Sequence, residues 1–267
     1  RGLARAPPTL DTTGMRTLEL TPAGILGTIA VLVVVAVCVR LGLWQLDRHE
    51  QRLERNAMVA ERLAAAPVEL EALPPDTAGL TYRRAAVRGR FDNARAMVLA
   101  GRSHAGAPGA HVLVPLRLGD GALLVNRGWL PAPDAASVDL DPVVLEGRIA
   151  VEGVLLPFPD VELERAEAPA FQRTWFRFDG DAMRQQLPYP AAPLYLVAER
   201  LTGPGVVDTA RPLPVMLEPP ALDPGPHLSY ALQWFSFAAI FLVGWAVLLV
   251  RRPARADPRT PAPVDPA

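Results

Sequence analysis

The chain has 267 residues, enough for one or two domains, and carries 27 basic and 28 acidic residues for a net charge of −1. That balance argues against broad electrostatic attraction to nucleic acid or anionic lipid, so we expect no nucleic-acid partner. The single cysteine, Cys38, excludes an intramolecular disulfide and every metal site built on a cysteine pair.

The first apolar run lies near the N-terminus. Residues 20–39 carry no charge, and the apolar character continues through Leu46. About 20 apolar residues are what a helix needs to cross ~30 Å of hydrocarbon. No small-residue cleavage site follows the run, as a signal peptide would require, and Pro22 suits a first helical turn. We therefore predict a transmembrane helix over 22–46, preceded by an N-terminal segment, 1–21.

The next 180 or so residues, 47–226, are predicted to form a single domain. Over 47–66, apolar residues recur at helical spacing among charged ones, so the first helix is expected to continue there, until Pro67. Beyond it the apolar period shortens toward two, which is typical of strands. The predicted strands are Tyr82–Phe91, Ala96–Gly101, Val112–Leu118, Ala122–Leu130, Val144–Leu155, Thr174–Asp179 and Leu194–Leu201.

Turn and cap signals complete the domain. Gly119-Asp120-Gly121 separates two apolar runs and predicts a β-hairpin. A short helix near Asp181–Leu187 is expected, with Asp179 or Asp181 as its cap. The close spacing of the strands favours one antiparallel, β-rich α+β domain, as a sheet or a barrel. Prolines over 212–226 suggest a tether that leads into the second apolar run.

That second run, Leu228 to Val250, has 23 uncharged residues and ends on Arg251-Arg252. It predicts a transmembrane helix over 227–250 and, from the excess of arginine that follows, a cytoplasmic tail over 251–267. With two spans the N-terminal segment is also cytoplasmic. We expect a multi-pass protein of the bacterial inner membrane, with the domain on the outer face.

Catalytic motifs are missing from the sequence, which contains no GxGxxG, P-loop, HExxH or GxSxG pattern. Ser103-His104 has no clear supporting acid, and adjacent residues do not usually form the hydrogen bond that a nucleophile needs. His49, His104 and His111 lack metal-ligand spacing and are expected to be solvated or hydrogen-bonded. A copper carrier would show paired Cys or Met ligands, and the sequence has none. We therefore expect that the protein is neither a copper carrier nor an enzyme.

One candidate binding site lies at the start of the second span. At ~100° per residue, His227 and four aromatic residues share one helical face; these are Tyr230, Trp234, Phe241 and Trp245. An imidazole nitrogen is a good axial ligand for haem iron, and flat aromatic rings suit a macrocycle with an apolar tail. Aromatic residues also crowd membrane interfaces without any ligand, and a histidine beside Pro226 can simply end a loop.

At these residues the chain resembles the surfeit locus protein 1 family, membrane factors for cytochrome c oxidase biogenesis. Four motifs in order carry the resemblance: LGLWQLDR at 41–48, GAPGAHVLVPL at 106–116, VNRGWLP at 125–131 and HLSYALQWF at 227–235. The resemblance implies an assembly factor that binds haem A and aids its delivery to, or insertion into, subunit I of the oxidase. It also implies His227 as the haem ligand, subunit I as a partner and haem A synthase as a further one.

Other candidates for cofactor binding accompany His227. Trp44 and Gln45 close the first motif at the same interface, where we expect them to lie near Tyr230 and Gln233 because a glutamine at that depth seeks a partner. Arg127 has two alternatives: a haem propionate, which suits its fork of donors, or a structural pair with an acid inside the domain. Gly128 suits a bulge or a close backbone approach.

The sequence leaves two functions open. The first is the haem A-binding assembly factor. The second is a membrane scaffold that stabilises an oxidase assembly intermediate without binding haem itself.

Overall fold

The structure is a computed structural model, and it describes residues 21–74, 76–134, 137–159, 171–206 and 213–251. These residues fall into two compact units. One is helical and consists of the residues up to Leu53 together with those from Pro224 onward; the other, Glu54–Asp223, is built on a β-sheet. The predicted cytoplasmic segments 1–21 and 251–267 lie almost wholly outside the described residues.

The described residues form three α-helices, α1 (Pro22–Ala64), α2 (Gly180–Gln185) and α3 (His227–Arg251). By length and composition, α1 and α3 are both apolar and long enough to cross a membrane. The predicted continuation of the first helix beyond Leu46 is confirmed, since α1 runs unbroken to Ala64.

In the helical unit, α1 and α3 pack against each other along a seam of small residues. The less exposed positions of α1 include a series at alternating steps of four and three residues: Gly24, Thr28, Val31, Val35, Cys38, Gly42 and Gln45. On α3 the less exposed positions include His227, Ala231, Trp234, Phe235, Ala238 and Trp245. This spacing is typical of left-handed helix pairs, and glycines on α1 leave room for aromatic rings of α3, with Trp245 against Gly27 and Phe235 against Gly42.

The described residues of the sheet unit form eight strands. They are β1 (Val68–Leu70), β2 (Arg84–Phe91), β3 (Met97–His104), β4 (Ala107–Leu118), β5 (Gly121–Pro131), β6 (Ile149–Pro157), β7 (Thr174–Trp175) and β8 (Ala191–Thr202). Their order is β1-β2-β6-β8-β5-β4-β3-β7. In addition β2 pairs with β4, with Phe91 opposite Leu116, which closes β2, β6, β8, β5 and β4 into a five-stranded barrel.

The predicted antiparallel sheet is in fact mixed. The pairs β1–β2, β3–β7 and β5–β8 are parallel, whereas the remaining pairs are antiparallel. Strand directions cannot alternate all the way round a closed ring of five, so at least one neighbouring pair must be parallel. In this barrel that pair is β5–β8.

Side chains in the described part of the sheet unit form two apolar cores. The larger fills the barrel with side chains such as Val87, Leu116 and Leu196. The smaller lies between the sheet and α2 and is centred on Met97 and Met183. Burial of this apolar area is the main favourable contribution to folding.

The local predictions mostly agree with the structure. Gly119 and Asp120 form the two-residue turn of the β4–β5 hairpin, because Leu118 pairs with Gly121. Asp179 is the cap of α2, since its carboxylate accepts a hydrogen bond of 2.9 Å from the Ala182 backbone N–H. The predicted strand Thr174–Asp179 shortens to two residues.

The predicted strand Val144–Leu155 begins only at Ile149. A 3-10 helix, Asp141–Val143, and a loop occupy the preceding residues. Val143 and Leu145 are nevertheless buried in the barrel core. The alternating apolar pattern there reflects burial of a loop, without the ladder of hydrogen bonds that a strand needs.

Candidate functional site

The central contact of the helical unit joins Gln45 of α1 to His227, the first residue of α3. The Nδ1 atom of His227 lies 2.9 Å from Oε1 of Gln45, which is within hydrogen-bonding distance. Both side chains are half-buried. Gln45 therefore has a polar partner in His227, and its proximity to Tyr230 and Gln233 stays a prediction.

The chain turns sharply into α3 just before the histidine. Gly225 has a φ of +74°, a region that glycine adopts readily. The Pro226 carbonyl then accepts hydrogen bonds from the Tyr230 backbone N–H at 3.1 Å and from the Ser229 hydroxyl at 2.7 Å. The turn and these two bonds place the imidazole at the very end of the helix.

The other nitrogen of the ring, Nε2, makes no hydrogen bond to any of the residues that the structure describes. A Cβ on Gly225 would lie 3.7 Å from it, so the glycine leaves that side of the ring without a side chain. Metal-ligating histidines usually have a polar partner at the ring nitrogen that does not bind the metal, and Gln45 is in the place of such a partner. These residues fit an axial ligand for haem iron.

The aromatic face predicted on α3 divides into two groups. Trp234 and Trp245 are half-buried, whereas Tyr230 and Phe241 are 46% and 47% exposed. Trp245 donates its indole N–H to the Thr28 hydroxyl and so belongs to the helix-pair contact. Tyr230 and Trp234 remain on the helix one and two turns from His227.

Trp44, the neighbour of Gln45, is 46% exposed. Its place in the sequence brings it next to the Gln45–His227 contact, but its side chain faces outward from the seam. Among the predicted site residues, the structure thus joins Gln45 and His227 directly and leaves Trp44 and Tyr230 as exposed aromatic neighbours.

Arg127 lies in the interior of the sheet unit and is only 5% exposed. Its guanidinium donates to the Val143 carbonyl at 3.0 Å and lies 4.8 Å from the centre of the Phe91 ring. Burial lowers its pKa to about 10. Among the described residues its contacts are a carbonyl and a ring, so the predicted pair with an acid is wrong. Burial disfavours the predicted contact with a haem propionate, which stays a prediction.

The surrounding motif is structural. The β4–β5 register shifts at Arg127, since Val112 pairs with Gly128 and Leu113 with Asn126. Arg127 is therefore the extra residue of a β-bulge, which bends the strand locally. Asn126 Oδ1 accepts the Gly128 backbone N–H at 3.0 Å, which braces the bulge.

Gly128 also provides the predicted close backbone approach. It has a φ of +121°, and a Cβ at this position would collide with the Val215 carbonyl. The neighbouring Trp129 exchanges two backbone hydrogen bonds of 2.8 Å with Val215. The motif therefore fastens the segment around Val215 to the edge of the barrel.

One cluster of side chains at the β3–β4 hairpin was not predicted from the sequence. The His104 ring lies 5.4 Å from the ring of Trp129, and the Trp129 indole N–H donates to the Arg102 carbonyl. Burial, with the nearby charges of Arg102 and His104, lowers the pKa of His111 to about 4. The sequence offered one signal for this cluster: His104 and His111 lie in or next to the strand that pairs with the strand of Trp129.

Comparison with known proteins places the chain among relatives of one kind. Residues 32–239, a range that includes Gln45 and His227, match the model of the SURF1 family. A SURF1-like protein of Monosiga brevicollis is 28% identical over 247 residues, covering 88% of this chain and 92% of its own length. The Surfeit locus protein 1 of Mus musculus is 26% identical over 238 residues, 83% of this chain and 75% of the mouse protein. A SURF1-like protein of Rickettsia felis is 24% identical over 225 residues, 82% of this chain and 95% of its own.

Proposed function

Because the chain belongs to the SURF1 family, we propose that it is a non-enzymatic assembly factor for haem-copper cytochrome c oxidase. In this role it binds haem A transiently and aids its delivery to, or insertion into, subunit I. His227 supplies the axial nitrogen, and Tyr230, Trp234 and Trp44 are the aromatic side chains nearest to it along the two helices. Haem A is the cargo of the protein, and no bond in it is made or broken here.

The observation that carries this proposal is the open Nε2 of His227. The imidazole is held from one side by Gln45 at 2.9 Å, and the glycine at position 225 leaves its other side clear. A single histidine ligand on one face of the iron suits a protein that must release the group again, since fewer ligands have to be exchanged.

We also propose that the protein lies in the bacterial inner membrane. Two helices apolar enough to cross a bilayer support insertion in the bacterial inner membrane. The arginines that follow α3 favour a cytoplasmic C-terminus, and with two spans the N-terminus is cytoplasmic as well. His227 would then lie at the outer interface of the membrane.

The alternative function is a scaffold that holds an assembly intermediate without binding haem. It draws support from the exposed aromatic side chains of α3, among them Tyr230, Phe237 and Phe241, which offer packing surface to another membrane helix. Oxidase subunit I and haem A synthase are the candidate partners.

The optical spectrum of the purified full chain, from cells that make haem A, separates the two. We expect a Soret band in the wild-type protein and its loss or shift in His227→Ala, with expression and membrane insertion unchanged. His104→Ala is the matched control, because His104 is exposed in the β3–β4 hairpin, and it should leave the spectrum unchanged. Haem retained by His227→Ala together with impaired oxidase assembly would overturn the haem role and favour the scaffold.

A further inference from the structure

We propose that Gln45 is the positioning residue of His227, and that its side-chain carbonyl determines which ring nitrogen carries the proton. In this arrangement Nδ1–H donates to Oε1 of Gln45, and the lone pair of the neutral imidazole resides on Nε2. The ligand that Nε2 takes rests on the proposed function, whereas the protonation pattern is a property of the protein alone.

The geometry holds the two side chains in place from both helices. The Nδ1 to Oε1 distance is 2.9 Å, and both residues are half-buried in the seam. Three residues before Gln45, the buried Gly42 lies directly against the Phe235 ring, where a Cβ would stand 2.6 Å from a ring carbon. This close approach next to the hydrogen bond keeps the glutamine in reach of the imidazole.

A second contact further along the seam sets the relative register of the helices. Trp245 Nε1 donates to the Thr28 hydroxyl at 3.1 Å. With α1 and α3 joined at Thr28 and again at Gln45, neither helix can slide or rotate without breaking one of the two hydrogen bonds. Gln45 and His227 are therefore held at the same level of the helix pair.

The chemistry of the pair follows from its hydrogen-bonding groups. A neutral imidazole has one donor and one acceptor nitrogen, and the hydrogen bond made by one nitrogen decides the state of the other. The structure places the amide oxygen of Gln45 2.9 Å from Nδ1. An amide oxygen can only accept a hydrogen bond, so this pairing makes Nδ1 the donor and leaves Nε2 as the acceptor. The opposite protonation would turn Nε2 into a donor and prevent it from binding a metal.

The amide, as opposed to a carboxylate, also sets how strongly Nε2 binds. In general, a hydrogen-bond partner at the ring nitrogen that does not bind the metal raises the basicity of a ligating histidine. Loss of such a partner typically weakens metal binding by about 10–100-fold. A hydrogen bond to a neutral amide is weaker than one to a carboxylate. An amide at position 45 thus orients the imidazole of His227. It also keeps the bond from Nε2 to the haem iron weak enough for the haem to be released.

The first test needs no haem. The full chain in detergent micelles is labelled with ¹⁵N-histidine, and the His227 ring signals are assigned by their loss in His227→Ala. At a pH where the ring is neutral, we expect Nδ1–H in the wild type and a mixture of both tautomers in Gln45→Met. Gln233→Met is the matched control, because Gln233 is an exposed glutamine on α3, and it should keep the wild-type pattern. Nε2–H in the wild type, or no change in Gln45→Met, would overturn the proposal.

The second test measures haem A retention by the same variants. We expect Gln45→Met to lose haem about ten-fold faster, Gln233→Met to match the wild type, and Gln45→Glu to hold haem more tightly and lower its reduction potential. Restored retention in Gln45→Glu shows that an acceptor at position 45 is what matters. Equal retention in wild type and Gln45→Met would overturn the positioning role. A wild type with the Nδ1–H tautomer that retains no haem A would instead refute the proposed function and leave the positioning of His227 intact.

Discussion

Trp245 and Thr28, 217 residues apart in the chain, join the two apolar helices through a hydrogen bond from the indole N–H to the hydroxyl, 3.1 Å long. The Thr28 hydroxyl in turn donates to the Gly24 carbonyl at 2.9 Å. The result is a short chain of hydrogen bonds from the indole of α3 to the backbone of α1. Such chains stabilise each of their members, because each bond polarises the next.

We predict that Thr28 and Trp245 are energetically coupled. Thr28→Val and Trp245→Phe each remove one partner, and each should lower the stability of the helix pair by about 0.5–2 kcal/mol. The double variant should cost less than the sum of the two single ones. Unfolding of the full chain by SDS in mixed micelles measures this. Ser236→Ala, which removes a hydroxyl bonded within its own helix, serves as the control, and strict additivity of Thr28→Val and Trp245→Phe would contradict the prediction.

A second prediction concerns Gly42. A leucine at this position has no room, since a Cβ would already lie 2.6 Å from the Phe235 ring. We expect Gly42→Leu to force the helices apart, to cost about 1–3 kcal/mol of helix-pair stability and to reduce haem A retention by breaking the nearby Gln45–His227 bond.

The matched control for this change is Gly244→Leu. No atom outside its own helix backbone and neighbouring residues lies within 4 Å of a Cβ at Gly244. It should behave as the wild type in the SDS titration and in the haem spectrum. Equal effects of the two substitutions would show that helix propensity, and not close packing at Gly42, is responsible.

A third prediction tests the contact at the barrel edge. Gly128→Ala places a Cβ against the Val215 carbonyl at a φ of +121°, so the two backbone hydrogen bonds between Trp129 and Val215 should be lost. We expect the free energy of unfolding of the sheet unit to fall by about 2–4 kcal/mol. Urea denaturation followed by tryptophan fluorescence gives the value. Gly79→Ala, with open space around its Cβ, should stay within about 0.5 kcal/mol of the wild type.

A fourth prediction follows from the lowered pKa of His111. The folded protein protonates this ring only near pH 4, whereas the unfolded chain does so near pH 6.5. The unfolded state therefore binds more protons between these values, so stability is full above pH 6.5 and falls as the pH drops toward 4. Allowing for solvent screening, the loss from His111 is about 1–2 kcal/mol.

Replacement of His111 by Gln removes this titration. The stability of His111→Gln, measured by urea denaturation at several pH values, should depend less on pH between 6.5 and 4 than that of the wild type. His104→Gln provides the comparison at an exposed position of the same hairpin. A wild-type slope that is unchanged in His111→Gln would refute the lowered pKa.

Features encoded by neighbouring residues could be predicted from the sequence. The two apolar helices follow from runs of uncharged residues, the β4–β5 turn from Gly119-Asp120, and the start of α2 from the Asp179 cap. Each depends on groups a few residues apart, so the free energy that selects the structure is local. The close backbone approach at Gly128 was predicted in the same way, from a glycine at a strand end.

The residues that meet across the fold required the tertiary structure. The closure of the barrel through β2–β4, the parallel β5–β8 pair and the inward turn of Arg127 all depend on the register of distant strands. The sequence placed Gln45 and His227 at the same interface, but only the packing of α1 on α3 decided that they touch. Contacts of this kind are chosen by the fit of whole helices and sheets, because no short stretch of chain contains both partners.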